Sequence, residues 1–238
     1  MLDINVDEST NGGAILGAVG SPLLASALRS SARVIPSPIS PSSTVYDDWL
    51  EHHQISHPTA TVPAVGNIGT GSDYTVMLDH LGIPCLDIVF NQKSAAVYPY
   101  HSNYDSYHWV DKFGDPGFKK HLAMARLWGV LAVKLASGGA IPFQAVEYSE
   151  VLVAYAEKLA EETGFEVRVM LDSLEMWKIA AERLDAESKQ LSAQESRDMS
   201  AIATVNKKYM SIERGFLNEE GLPGRTWFKH IVSPLLVC

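Results

Sequence analysis

The sequence predicts an α/β fold that gives way to a helical bundle. Short apolar alternations at 2–7 and 83–90 read as strands, with helix-like segments between them. A glycine and proline break, Gly138-Gly139 to Pro142, then ends a strong helix. Beyond that break only helical periodicity remains. These observations divide the chain at 1–141 and 142–238.

Leu2-Asp3-Ile4-Asn5-Val6-Asp7 alternates like a strand and ends on an acid. Ile83–Phe90 is the other clear strand, and Val62–Ile68 offers a short extended piece. Two or three strands are few for an α/β sheet in a chain of this length, so earlier strands are expected to be missing. Ser21-Pro22 starts a helix to about Ala32, with serine as N-cap and proline at the first helical position. A proline- and serine-rich loop, Ile35 to Ser42, precedes a short helix from Val45 to His52. Ser72 is placed as the N-cap of a helix to about His80, with Gly82 as its stop. Asp115-Pro116 opens the strongest helix, with Phe118, Leu122, Ala125, Gly129, Ala132 and Ala136 on one apolar face. Helices over about 148–162, 167–191 and 195–217 follow. The apolar tail Leu235-Leu236-Val237-Cys238 supplies no fourth long helix. An exposed sheet edge and an unclosed bundle together predict self-association or poor solubility.

At 238 residues with 46% hydrophobic content, the chain is long enough for a substantial core. A net charge of -9 argues against sequence-independent nucleic-acid binding, which needs a basic face. No apolar run is long enough to span a membrane, and the first residues lack a signal-peptide layout. The two cysteines, Cys85 and Cys238, cannot make a disulfide framework and lack metal-ligand spacing. Cys85 reads as a small buried hydrophobe and Cys238 as exposed. The compartment stays undecided.

The richest chemistry lies in Tyr98-Pro99-Tyr100-His101-Ser102-Asn103-Tyr104-Asp105. A lone loop histidine is commonly structural. Here tyrosine, serine and aspartate neighbours could orient an imidazole for a metal. Asp7 ends a strand where α/β sheets bind ligands, and it also fits a solvated loop acid. Gly69-Thr70-Gly71-Ser72-Asp73 allows close backbone approach to a ligand or, equally, a tight turn with a helix cap. Asp73 complements the dipole of its helix and could orient His101. His52, His53 and His57 read as surface histidines able to hold a metal adventitiously, and His80 as the end of a helix. No His-Glu-x-x-His is present. Trp109, Trp128 and Trp177 read as packing residues.

Taken in order, Ile4-Asn5-Val6-Asp7, Gly69–Tyr74, Gly82-Ile83-Pro84, Tyr100–Asp105 and Lys112-Phe113-Gly114-Asp115-Pro116 resemble one family. The chain is similar over about 1–232 to the C-terminal part of glutamate carboxypeptidase II-type proteins. These are di-zinc M28 peptidases related to the transferrin receptor, and the plant altered-meristem-program type looks nearest. The resemblance implies an incomplete M28-type zinc exopeptidase α/β/α sandwich, then a truncated helical dimerisation domain. It implies that Asp7 matches a ligand of one zinc and His101 a ligand of the other. Tyr100 matches an oxyanion contact, and Gly71 and Ser72 match substrate-binding positions.

The remaining zinc ligands and the general base would precede this region. The resemblance therefore implies a chain inactive by itself. It implies a homodimer or pairing with a full-length paralogue, and a peptide substrate for the parent. Family members are mostly held at the plasma membrane or endoplasmic reticulum by an N-terminal helix. Asp87 and Val89 fall where the best-known member carries arginines, so a preference for acidic peptides is not implied here. The alternative is a non-catalytic homologue that acts through its helical half.

Overall fold

A computed structural model describes residues 1–91, 98–194 and 198–232. Its sheet is built on β3 (Cys85–Asn91), which lies between β1 (Asp3–Asn5) and β2 (Ile15–Gly20). β1 runs parallel to β3, with Asn5 opposite Asp87, and β2 runs antiparallel. Leu86, Ile88 and Phe90 are fully buried on β3, as strand alternation requires.

β2 is the strand that sequence reading missed. Its Ile-Leu-Gly-Ala-Val-Gly run lacks polar alternation, and two glycines weaken any strand signal. Tertiary packing explains Gly20. A Cβ there would sit 2.7 Å from the Cys85 carbonyl oxygen and 2.9 Å from Leu86 Cα. Val62–Ile68 contributes only a bridge, between Gly66 and Val19.

Ser21 caps the first helical turn, its hydroxyl accepting from the Leu23 amide at 3.3 Å. A 3-10 turn (Pro22–Leu24) then leads into α1 (Ala25–Ala32). α2 (Val45–Ser56) is opened by a capping box, with Thr44 and Asp47 satisfying each other's amides. The expected helix after Ser72 is instead a short helical turn ending in a π-turn, Val76–His80. Gly82 does end it, at φ 60°. His80 closes this segment by bonding the Trp227 carbonyl through Nδ1 at 2.7 Å, with the two rings stacked.

α3 (Tyr107–Trp109) and a π-turn, Val110–Gly114, precede α4 (Lys119–Ala136). Asp115 does open α4, but as a carboxylate accepting from the amides of Lys120 and His121 at 3.0–3.1 Å. The buried face of α4 is not the expected one. Ala123, Met124, Leu127 and Leu131 face the core, whereas Leu122, Ala125, Gly129, Ala132 and Ala136 are exposed. Two stripes compete on this helix, and the one with larger side chains buries more apolar surface. Trp128 lies 47% exposed rather than in the core, and its Nε1 donates to the Ile4 carbonyl at 3.0 Å. It covers the outer edge of β1.

α5 (Ala145–Thr163), α6 (Arg168–Ala193), α7 (Met199–Ser211) and a 3-10 turn (Glu213–Phe216) complete the helical half. The tail after 232, with Cys238, and the start of the expected third bundle helix at 195 lie outside the described residues. One hydrophobic cluster joins Leu86, Ile88 and Phe90 of the sheet to Leu127 and Leu131 of α4. The same cluster includes Phe143, Tyr148 and Tyr209 from beyond Pro142. Arg29 reinforces the join, bonding Glu147 at 2.6 Å and the Pro63 carbonyl at 2.9 Å. Among the described residues, no helix is long and apolar enough to cross a membrane.

Candidate functional site

The side chains of Leu2, Ile4 and Val6 pack against the main core. Strand alternation therefore sends Asp3 and Asn5 to the other face, and Asp7 follows two residues beyond β1. There Asn5 is the organising residue. Its Nδ2 donates to Ser72 Oγ at 3.0 Å and to Asp87 Oδ1 at 2.9 Å. One amide thus ties the Gly69–Ser72 loop to both parallel strands. This overturns the placement of Ser72 as a helix cap, because its hydroxyl serves Asn5 instead. Gly71 is exposed at φ 129°, a conformation that favours glycine, and a Cβ there would meet nothing. The glycine is needed for backbone shape, not for space.

This face is acidic. Burial pushes the Asp87 carboxyl above its ordinary range, and the charges of Asp7 and Asp3 add to the shift against the Asn5 hydrogen bond. Burial likewise raises Asp3, with Asp73 contributing. Tyr74, buried beside them, is raised by burial and then by Asp87, Asp79, Asp7 and Cys85. Asp7 itself is exposed at the C-terminal end of β1.

These shifts predict an effect on stability. Asp87 has a folded-state pKa above its ordinary 3.8, so its charged form opposes folding. Stability therefore rises as pH falls through the raised value toward 3.8. Asp87→Asn retains an acceptor for Asn5 and removes the charge. Its urea midpoint should exceed that of the parent at neutral pH, and the two should converge in acid. A lower midpoint at pH 7 would contradict this electrostatic account.

The histidine loop meets the chain just after Asp7, at Glu8. Tyr98 is pushed upward by burial and by the carboxylate of Glu8, the residue after Asp7. Its hydroxyl donates to Asp105 at 3.2 Å. Ser102 closes the turn, donating to the Pro99 carbonyl at 2.6 Å. His101 is exposed, takes φ 55°, and stacks its ring on Tyr100 at 3.7 Å. Tyr100 is exposed as well. Among the described residues, no hydrogen bond joins Asp73 to His101. Of the aromatic residues expected to pack, Trp109 meets Tyr98 at 5.4 Å and Trp177 packs on Tyr148.

Sequence reading gave Asn5 no role and took Asp87 only as a position where a family arginine is replaced. The signals were present: Asn5 is two residues before Asp7 on the same strand face, and Asp87 is a charge inside an apolar strand.

A transferrin receptor-like dimerisation domain matches residues 165–234. Aminopeptidase NAALADL1 of Rattus norvegicus is 32% identical over 96% of this chain and 32% of its own length. Probable glutamate carboxypeptidase LAMP1 of Arabidopsis thaliana is 30% identical over 96% of the chain and 32% of its length. The chain belongs to the glutamate carboxypeptidase-like family. An inactive zinc metalloprotease of Schizosaccharomyces pombe is also similar, 27% identical over 68% of the chain and 22% of its length. This glutamate carboxypeptidase-like chain spans about a third of the length of the curated relatives it matches first.

Zinc is the metal that these kinships imply. A carboxylate at Asp7 and an imidazole at His101 are donor types that zinc accepts. Their number does not suffice. Among the described residues, no group of three or more histidine, cysteine or acidic side chains could hold a metal ion. The residues present do not fit a zinc centre by themselves.

Proposed function

We propose that this chain carries the C-terminal part of a zinc-dependent metallopeptidase of the glutamate carboxypeptidase type and does not hydrolyse peptides by itself. Its small sheet is then part of a larger M28-type sandwich. The observation that carries this reading is the Asn5 bridge. It joins the loop bearing Gly71 and Ser72 to the strand that leads to Asp7. A ligand crevice in an α/β protein is expected at such strand ends. In this reading Asp7 and His101 are metal ligands, Tyr100 contacts the oxyanion, and Gly71 and Ser72 touch a small peptide.

The helical half then supplies pairing, with a second copy or with a longer paralogue. The dimerisation-domain match supports this, as do Val169 (79% exposed) and Met176 (74% exposed) on α6. A purified sample supplied with zinc should leave N-acetylated acidic dipeptides intact and elute as a dimer by light scattering. Zinc-dependent hydrolysis would overturn the inactive assignment. A sharp monomer peak would overturn the pairing.

The alternative is a non-catalytic homologue acting only through its helices. The similarity to a relative named as inactive favours it. In that case Asp7→Ala and His101→Ala would leave every property of a longer form unchanged.

A further inference from the structure

We propose that His53 and His57 form a two-imidazole site for a borderline divalent metal ion, of the zinc, nickel or copper(II) class, at the C-terminal end of α2. The site stands apart from Asp7 and His101, which belong to β1 and the loop after β3.

His53 lies in the last turn of α2 and His57 is the residue that ends it, four positions on, close to the spacing by which two histidines can grip one ion. The His53 and His57 ring centres are 4.6 Å apart, with the planes tilted by 32°. An ion bound at about 2.0–2.1 Å to one nitrogen of each ring would hold the ring centres roughly 4.5–5 Å apart. The ring centres therefore already stand at the separation that a shared ion requires.

The backbone is already set for this. The His57 amide donates to the His53 carbonyl at 3.1 Å, which makes the last bond of the helix. The Ala60 amide donates to the His57 carbonyl at 2.9 Å, and Gln54 Nε2 closes the turn onto the Ala60 carbonyl at 2.8 Å. Little ordering is left for binding to impose.

The electrostatics agree. A helix C-terminus favours a cation. Among the described residues no third protein donor is grouped there, so water would complete the coordination and the ion would stay exchangeable.

The test is calorimetric titration of the full chain with nickel chloride and with zinc chloride. His53→Ala or His57→Ala should each weaken binding by at least about tenfold. His108→Ala, exposed and outside both groups of residues, should leave it unchanged. Ring resonances of His53 and His57 in the unmutated chain should broaden selectively with nickel, a measurement independent of how the variants fold. Unchanged affinity in both alanine variants, or broadening confined to other histidines, would overturn the proposal.

Discussion

Replacing Glu213 with alanine is expected to lower the unfolding free energy by about 2–4 kcal/mol. Glu213 is 1% exposed in the 3-10 turn after α7. Its Oε2 accepts from the Tyr148 hydroxyl at 2.9 Å and bonds His230 Nε2 at 2.9 Å. Tyr148 lies on α5, stacked on Phe216 and edge-on to Trp177. The amides of Lys229 and His230 donate to the Asp79 carbonyl, on the π-turn that precedes β3. One carboxylate therefore joins the first bundle helix, the turn that ends the bundle and the last described segment.

Alanine at 213 removes that acceptor and leaves the buried Tyr148 hydroxyl without it. Tyr148→Phe removes only the donor and should cost less, about 1 kcal/mol. Urea unfolding of the two variants checks the order. A cost at Glu213→Ala no greater than at Tyr148→Phe would mean that the carboxylate does not organise this junction.

Asp185→Ala is expected to cost about 2–3 kcal/mol, through a different device. α5 begins after Gln144, whose side chain does not cap it. Instead Asp185 on α6 accepts from the Ala145 amide at 2.9 Å and the Val146 amide at 3.0 Å. The same carboxylate accepts from the Tyr209 hydroxyl of α7 at 2.8 Å. Tyr209 is fully buried, and its hydroxyl is pushed well upward by burial and by Asp185. The substitution thus removes a helix cap and the partner of a buried phenol together. Hydrogen exchange at the Ala145 and Val146 amides should accelerate in the variant, ahead of amides in β3. Equal protection of those amides in both proteins would count against capping from α6.

Asp185 also shows why part of the fold was not legible beforehand. Ser21 and Asp115 announced their helices because a cap lies next to the turn it satisfies. The Asp185 cap lies on another helix, so no local pattern marks it. α4 shows a second limit. Its periodicity was plain, but two apolar stripes fit the same period, and only packing chose the stripe with Met124, Leu127 and Leu131. β2 shows a third, since glycines that erase a strand signal are there to let β3 approach.

The candidate site divides in the same way. Motifs drew attention to Asp7, Gly71, Ser72, Tyr100 and His101. The link from Asn5 to Ser72 and Asp87 required the parallel pairing of β1 with β3.

By itself the sequence determined the kinship, the order of the helices and most of their ends. Each of these is recorded in contiguous residues through period, cap or motif. Only the tertiary structure decided the partner of β2, the stripe that α4 buries, the main core running past Pro142 and the bonds of Asn5, Asp185 and Glu213. Those depend on groups far apart along the chain, whose meeting is set by how the whole backbone closes rather than by any local preference.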